Sequence, residues 1–336
     1  MYIHREFVGL TAGNARRPAV PVDAYTLGNG NGADIVVWTY GATLVEVRVP
    51  DRDGRPDNVV HRLPTLADYE DRDTNAYVGA TVGRFCRNVA HGTFTLDGAR
   101  YTLDRNGGPH HLHGGTHGFD QLVWRETGTE RADDHVTLTL ALDSPDGDQG
   151  YPGDLHVETV YRLDREATLT IGFRATTTAP TLVGLTNHTF WNLAGAGTRR
   201  TADHHHLAVN ATRALRFDGD QVPLPGPPSP ITGTPLHLTG TDPLGDLRVD
   251  NFYVLDDPRS WAAELHDPAS GRRLRLSTDQ SGMGVYTGDG LNPPRAGVCL
   301  QPGAWPDAPN RPDFPSARLD PGGTYTATTR YAFSVR

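Results

Sequence analysis

Fifteen histidines are scattered along the chain, and several lie in segments that are dense in glycine, asparagine and proline. Loops anchored on a rigid sheet are where binding and reacting groups are usually presented. Such segments are therefore the first place to look for residues that do chemistry. Four of them stand out: 83–88, 106–120, 186–193 and 297–310.

Two runs of histidine could in principle bind a metal ion. The first contains His110, His111 and His113, and the second spans 204–206. Neither run has a carboxylate or a cysteine at a standard ligand spacing. We therefore predict no metal site.

The charged residues are nearly all arginine and aspartate, and the absence of lysine excludes several kinds of enzyme. All 31 Lys+Arg positions are arginine, so the chain has no lysine for a Schiff base, for pyridoxal phosphate or for a Walker-type phosphate loop. Only eight of the 40 acidic residues are glutamate, and the last is Glu264. Cys86 and Cys299 are too few for a disulfide scaffold, and neither has an evident activating base in sequence, so we expect buried, reduced thiols.

The overall charge and the N-terminal sequence bear on partners and location. A net charge of −9 leaves no basic footprint for nucleic acid or for an anionic membrane, and favours a small neutral or cationic ligand over a polyanion. Residues 1–10 carry charges where a signal peptide needs an apolar run, and no apolar stretch approaches the roughly 18 residues of a membrane span. These features predict a cytoplasmic protein without nucleic-acid or membrane partners.

Alternation of apolar and polar residues with period two is the main structural signal, and it predicts strands. The runs with this pattern are 34–50, 136–142, 156–163, 167–177, 272–278 and 324–335. Two further runs flank Asp97-Gly98, a pair that suits the positive φ angles of a type I′ turn and so predicts a hairpin over 94–103.

Helical patterns are scarce, and 65–71 is the one tidy candidate. The proline cluster at 223–230 could be an interdomain linker, but strand-like patterns continue on both sides, so a surface loop is favoured. Many short strands, few helices and this length indicate one all-β domain over 1–336, built as a large antiparallel sandwich.

The candidate segments, taken in order, resemble the aldose 1-epimerase (galactose mutarotase) family. The resemblance runs from about 41–56 to the end of the chain, and each motif is weak alone but specific at these spacings. The motifs are GTFTLDGARYTLD at 92–104, LHGG at 112–115, GFD at 118–120, GYPGD at 150–154, TNHTFWNL at 186–193, VYTG at 285–288 and WPDAPN at 305–310.

The resemblance implies a single-domain β-supersandwich whose open face carries the active site. It also implies an enzyme that interconverts sugar anomers without a metal or an organic cofactor. In the family a carboxylate takes the proton of the C1 hydroxyl, a histidine protonates the ring oxygen, and the opened aldehyde closes again from its other face. A well-placed acid or base contributes ~10²–10⁴-fold to such a reaction.

Three residues carry family roles by position. His188 matches the proton-donating histidine, and His113 matches a second histidine that hydrogen-bonds the sugar. The glycines after His113 permit a close backbone approach to a ligand, though a tight turn would use them equally well. Asp250 aligns with an aspartate that accepts hydrogen bonds from sugar hydroxyls, and a plain turn residue is an even alternative.

The largest departure from the family concerns the catalytic carboxylate. The family's glutamate follows a Cys-Leu pair, and here Cys299-Leu300 is followed by Gln301. An amide forms hydrogen bonds but has no pKa that lets it act as a general base. Loss of a base worth ~10²–10⁴-fold raises the barrier by roughly 2.7–5.5 kcal/mol unless another group takes its place.

Two further positions differ. The family usually reads Asn-Arg, with the arginine on the sugar, whereas this chain reads Arg87-Asn88. In a strand, a one-residue step points a side chain to the opposite face, so we expect Arg87 to be displaced from the site. A family glutamine before VYTG is replaced by Gly284, and the three changes together predict a pocket that lacks a carboxylate, an arginine and an amide.

Two tryptophans complete the candidate ligand contacts. Trp191 and Trp305 could stack on a sugar ring, although large aromatics in strand-rich segments belong to the core at least as often. The predicted substrate-binding set is therefore Asp250, Arg87, Asn88, Trp191 and Trp305, and the predicted catalytic set is His188, His113 and Gln301.

The interpretation that follows is an acid–base enzyme of this family whose site has diverged. His188 is expected to centre proton transfer in ring opening or closing, cyclisation or dehydration of a hydroxylated or carbonyl-bearing small molecule, for which a natural-product intermediate is one possibility. Two alternatives stay open. One is a genuine aldose 1-epimerase in which a histidine or an aspartate replaces the base, and the other is a sugar-binding protein without turnover. The sequence indicates no oligomeric state.

Overall fold

The computed structural model describes residues 1–13, 18–198 and 200–336. These residues form 28 strands, one short α-helix and six 3₁₀ turns, which confirms the predicted all-β class. The helix α1 is Leu66–Glu70, and the 3₁₀ turns are Ala90–Gly92, Phe119–Gln121, Asp148–Gly150, Ala196–Thr198, Ala202–His204 and Ala308–Asn310.

The first fourteen strands are β1 Tyr2–Leu10, β2 Pro21–Gly28, β3 Asp34–Trp38, β4 Thr43–Pro50, β5 Pro56–Asn58, β6 Thr81–Val82, β7 Asn88–Val89, β8 Thr93–Leu96, β9 Ala99–Thr102, β10 His111–Leu112, β11 Arg125–Arg131, β12 His135–Ser144, β13 Leu155–Asp164 and β14 Thr168–Thr177. The others are β15 Thr181–Leu182, β16 Thr186–Asn187, β17 Phe190–Trp191, β18 His206–Val209, β19 Arg213–Ala214, β20 Ser229–Pro230, β21 Thr239–Pro243, β22 Asp250–Val254, β23 Ala263–His266, β24 Arg272–Thr278, β25 Gly282–Tyr286, β26 Val298–Pro302, β27 Arg318–Leu319 and β28 Tyr325–Val335.

Three antiparallel sheets carry most of these strands. The largest has nine strands in the order β11-β12-β13-β14-β28-β24-β23-β18-β21, and a five-stranded sheet runs β1-β2-β3-β4-β5. The third has six strands in the order β17-β26-β25-β22-β19-β20. One hydrophobic core joins all three, since Leu138, Ile35 and Val285 belong to the same buried cluster.

The six-stranded sheet supplies the frame of the site because its two faces differ. One face sends Tyr253, Met283 and Leu300 into the main core. Successive strand residues point to opposite faces, so the alternate positions face away from that core. Gln301 pairs with Gly284, which pairs with Phe252, and these three positions form a row on the second face.

The local sequence predictions are confirmed with small shifts. The run 34–50 contains two strands, β3 and β4, separated by a turn, and the run 272–278 is β24 itself. The hairpin forms as β8 and β9, with φ of 51° at Asp97 and 79° at Gly98. The predicted helix forms as α1, and Thr65 caps it with a reciprocal pair of hydrogen bonds to Asp68.

The proline-rich stretch 223–230 is largely exposed surface, with only its last two residues in a short strand, as expected for a loop. No helix in the described part of the chain is long and apolar enough to cross a membrane.

Candidate functional site

A cavity of about 420 Å³ opens on the second face of the six-stranded sheet. It brings together residues that are distant in the chain, such as Arg87 and Gln301, which are 214 positions apart. Six of the eight predicted site residues line it: Arg87, Asn88, His113, His188, Asp250 and Gln301. The structure therefore collects most of the predicted set at one place.

His188 lies in the connection between β16 and β17, where the backbone holds it on both sides. Its N–H donates to Ala80 O at 2.9 Å, and its carbonyl accepts from Gly79 N at 3.0 Å. The side chain is buried, with its ring against the rings of Tyr77 and Phe190. These contacts fix the imidazole at the wall of the cavity.

Gln301 and Cys299, both on β26, contact the two nitrogens of the His188 ring. Gln301 Nε2 lies 2.9 Å from His188 Nε2, and Cys299 Sγ lies 3.5 Å from His188 Nδ1. The Gln301 amide carries both a donor and an acceptor, and rotation about its last bond exchanges them, so it can hydrogen-bond either tautomer of the His188 ring. The Gln301 side-chain oxygen is buried and has no hydrogen-bond partner among the described residues.

His113 and Arg87 hold each other through their backbones. Arg87 N–H donates to His113 Nδ1 at 3.1 Å, and His113 N–H donates to the Arg87 carbonyl at 3.3 Å. Because Nδ1 of His113 accepts, its neutral ring carries the proton on Nε2. His113 is therefore built to offer an N–H donor beside His188, whose ring lies edge-on at 5.2 Å between centroids.

Burial keeps both site imidazoles uncharged. Desolvation lowers the pKa of His188 to about 3, and the nearby Arg87 charge acts in the same direction. Desolvation also lowers the pKa of His113 well below its usual range, with the neighbouring His188 and Arg87 contributing. Both rings are thus neutral near pH 7, and a proton placed on either is readily given up.

Neutral buried histidines predict that the fold is sensitive to acid. Desolvation lowers the pKa of His188 to about 3 and those of His111 and His205 to about 4. In the unfolded chain these groups titrate near 6.5, so stability is full above that pH and is lost as the pH falls toward 4–3. Each of these histidines lowers the free energy of unfolding by up to about 1.4 kcal/mol for each unit by which the pH falls in this range. Urea midpoints should therefore drop between pH 7 and pH 5.

Carboxyls whose pKa is raised oppose this trend, and Asp120 is the clearest of them. Burial raises the pKa of Asp120 to about 6, despite its ion pair with Arg72. Its protonation below that pH stabilises the folded state and offsets part of the loss from the imidazoles. An unchanged urea midpoint between pH 7 and pH 5 would show that the imidazoles are not held neutral by the fold.

Arg87 corrects a sequence expectation. Its φ of 80° is a left-handed conformation, and only the following residues, Asn88 and Val89, are in a strand. Strand alternation therefore does not govern its direction, and its guanidinium enters the cavity rather than facing away. A Cβ at Gly284 would lie 1.9 Å from Arg87 Nη2, so the glycine leaves the volume that the guanidinium fills. Two departures from the family pattern thus fit each other, and the pocket does not lack an arginine.

Asp250 and Asn88 line the cavity as predicted. Asp250 begins β22 and pairs with Tyr286, which pairs with Cys299, so the carboxylate is two strands away from the His188 wall. Desolvation raises the pKa of the Asp250 carboxyl, an effect that Arg87 opposes. Asn88 Nδ2 donates to the carbonyl of Asp220 at 3.4 Å.

The two tryptophans lie outside the cavity lining, contrary to the expectation that they contact the ligand. Trp191 is fully buried on the core face of its sheet. The preceding residue, Phe190, pairs with Cys299, which lies on the side of the sheet that carries His188. Strand alternation therefore points Trp191 toward the core. Its ring packs on Tyr331. Trp305 is 8% exposed and packs on Phe314, with its N–H donated to a serine hydroxyl, so it is held outside the cavity lining.

Tyr77 is the main residue that the sequence did not reveal. Its ring lies 4.7 Å from that of His113 and 5.8 Å from that of His188, between centroids. Burial raises the pKa of its hydroxyl to about 12, so it stays protonated and can donate to a ligand. Tyr77 belongs to none of the sequence motifs, and its φ of 59° cannot be inferred from the sequence. Tyr286 and Asn251 also line the cavity.

The glycines after His113 serve the fold. Gly114 has φ of 90°, and a Cβ there would lie 1.8 Å from Gly83 O. The close approach is thus between two backbone segments rather than to a ligand. Both cysteines are buried and unpaired, as expected, and burial raises the pKa of Cys299 to about 12. Within the described ranges, no group of three metal-ligating side chains gathers.

Similarity to known proteins shows the family to which the chain belongs. The family model described as aldose 1-epimerase matches residues 23–332. The chain belongs to the aldose 1-epimerase family. It is similar to the galactose mutarotase of Sus scrofa, with 36% identity over 90% of this chain and 91% of the relative. It is also similar to the aldose 1-epimerase of Escherichia coli, with 30% identity over 93% of this chain and 95% of the relative.

Solved structures of this family share the fold. An aldose epimerase homologue from C. elegans superposes with a TM-score of 0.84 at 26% identity, covering 92% of this chain and 98% of the other. Galactose 1-epimerase from Lactobacillus acidophilus has a TM-score of 0.82 at 25% identity, with 99% of each chain covered. These likenesses confirm the galactose mutarotase-like β-supersandwich that the resemblance implied. The chain is thus an aldose 1-epimerase family member whose cavity holds Gln301 where the family pattern has glutamate.

Proposed function

We propose that the protein is a genuine aldose 1-epimerase, which opens and recloses a sugar ring to exchange its anomers. The observation that carries this proposal is the pair of neutral imidazoles, His188 and His113, on one wall of a cavity that also holds Asp250. The family relatives named as mutarotases and aldose 1-epimerases support this alternative. Nothing comparable supports cyclisation or dehydration.

Proton transfer is proposed to run between His188 and Asp250. Among the described residues that line the cavity, the carboxylates are Asp250 and Asp220, and the side chain of Asp220 is 67% exposed. Desolvation raises the pKa of the Asp250 carboxyl although the residue is exposed at the start of β22, and a raised pKa makes its carboxylate a stronger base. We assign it the removal of the C1 hydroxyl proton, which is the role that Gln301 cannot perform.

His188 is assigned the proton of the ring oxygen. With a pKa of about 3, His188 is neutral near pH 7, so it acts as a neutral imidazole whose N–H is donated to the ring oxygen as the C1–O bond breaks and is recovered when the ring closes. His113 Nε2–H and the Tyr77 hydroxyl are donors that can stabilise the negative charge that develops on oxygen. Gln301 orients His188 through its amide.

The proposal is tested by following anomer exchange in α-D-galactose, α-D-glucose and D-galacturonate by polarimetry and NMR. Buffer concentration must be low and constant, because general bases in solution catalyse the same reaction. We expect a rate that increases linearly with protein concentration for at least one of these sugars. Sugar binding without faster exchange of any of them would instead identify a binding protein, and the proposal would be wrong.

A further inference from the structure

Two arginines of one segment differ in how their guanidinium groups are satisfied. Arg84 is 1% exposed and donates to four backbone carbonyl oxygens and to the Ser144 hydroxyl. Each of its nitrogens therefore has a partner inside the protein. Arg84 therefore links several segments of the fold, and a full set of hydrogen-bond partners is usual for a buried polar side chain.

The Arg87 guanidinium has far fewer hydrogen-bond partners than that of Arg84. Its one side-chain hydrogen bond runs from Nη2 to the Gln301 carbonyl, at 2.9 Å. Its Nε is buried without a partner, and within the part of the chain that the structure describes no carboxylate forms an ion pair with it. Burying a donor without an acceptor costs free energy, so these N–H groups call for an acceptor that the protein does not supply.

Apart from the carboxylates of Asp250 and Asp220, the described residues that line the cavity around Arg87 are uncharged. His113 and His188 are neutral, and the position that the family fills with a glutamate carries the amide of Gln301. The ring of Phe252 lies 5.6 Å from the guanidinium carbon. Asp250 lies near enough for Arg87 to lower its pKa but not near enough to pair with it. A cation thus lines the cavity with N–H donors that have no acceptor among the described residues.

We propose that the cavity takes a sugar acid, whose carboxylate binds the Arg87 guanidinium. This inference rests on the proposed function, because it names the substrate class of the same site. A guanidinium presents parallel N–H donors that match the two oxygens of a carboxylate. The same pairing explains Gln301, since a glutamate there would repel an anionic substrate from the arginine beside it.

The net charge of −9 does not oppose binding of a single negative charge. Exposed charges more than about 10 Å away are largely screened at 0.1 M salt. The carboxylate can belong to a uronic acid, where it is remote from the anomeric carbon, or to a 2-keto sugar acid, where it is attached to that carbon. Both offer the same group to Arg87, and binding measurements separate them.

The experiment compares binding by NMR titration at pH 7 for D-galactose, D-galacturonate, N-acetylneuraminate and D-galactose 6-phosphate. We expect one of the two sugar acids to bind at least 10-fold more tightly than galactose, and the tighter one identifies the carboxylate position. Arg87→Met should remove about 10- to 100-fold of that affinity, since hydrogen bonds to charged groups carry such weight. Arg125→Met is the control, because Arg125 is exposed on the edge strand β11 and lies outside the cavity lining.

Gly284→Ala provides a second variant that retains the arginine. Its Cβ would lie 1.9 Å from Arg87 Nη2, and the far end of a flexible side chain can move aside, so the fold should survive while the guanidinium is displaced. The same loss of sugar-acid affinity is expected. Sugar acids that bind no better than galactose, or worse than the phosphate ester, would overturn the proposal, as would an unchanged preference in both variants.

Failure of this inference is distinguishable from failure of the proposed function. Tight binding of a sugar acid without faster anomer exchange contradicts the enzyme but supports the ligand class. Faster exchange of galactose together with no preference for the acids supports the enzyme and contradicts the ligand class.

Discussion

Replacing His188 with asparagine should lower the catalysed rate of anomer exchange by about 10²–10⁴-fold, which is the contribution of one well-placed proton-transfer group. Asparagine can keep a hydrogen bond to Gln301 but cannot carry the proton that an imidazole shuttles. The rate is followed on whichever sugar the wild-type protein turns over. Binding of that sugar to the variant, measured separately, should change far less than the rate.

A matched control is His156→Asn. His156 is a half-exposed histidine on β13, where its Nδ1 lies 2.6 Å from Asp143, and it is outside the cavity lining. Its replacement should leave the rate unchanged. If His188→Asn retained the full rate, proton transfer would have to be assigned to another group, with Asp250 or His113 as the remaining candidates.

Replacing Gln301 with glutamate should raise the exchange rate of a neutral aldose by roughly 10²-fold or more, because it supplies a general base at the position that the family pattern uses. The amide nitrogen now lies 2.9 Å from His188 Nε2. A carboxylate at that distance stabilises an imidazolium, so it raises the pKa of His188 from its value of about 3.

The pH dependence gives this variant a second readout. In the wild type, a His188 pKa of about 3 predicts that its ionisation leaves no mark on the rate between pH 5 and pH 8. In Gln301→Glu the raised imidazole pKa should bring a new inflection into that range. Gln301→Asn, which is neutral, should show neither effect. An unchanged rate and an unchanged profile in the glutamate variant would mean that the amide does not mark the place of a missing base.

Local sequence patterns predicted the strands well because alternation and turn chemistry are properties of neighbouring residues. The Asp97-Gly98 hairpin and the Thr65-capped helix form where their own residues require them. The same reasoning failed for Arg87, since strand alternation was applied to a residue just outside a two-residue strand. Its φ is 80°, and its backbone N–H donates to His113 Nδ1, 26 positions away in the chain.

The candidate site was only partly predictable for a similar reason. His188, His113, Asp250 and Gln301 could be located because motifs mark their positions. Trp191 could not be assigned, because whether an aromatic faces a ligand or the core depends on which face its strand presents. Tyr77 reaches the site through tertiary contacts with both histidines, and no local pattern marks such a residue.

By itself the sequence determined the chemical identity of the site: two histidines, one aspartate, and an amide where the family pattern has a carboxylate. The tertiary structure alone decided the state of those groups. Whether an imidazole is charged depends on desolvation by residues distant in the chain, as the lowered pKa of His188 shows. The opening above Gly284 that admits Arg87, and the unsatisfied N–H that Arg87 carries into the cavity, likewise exist only once remote strands pair.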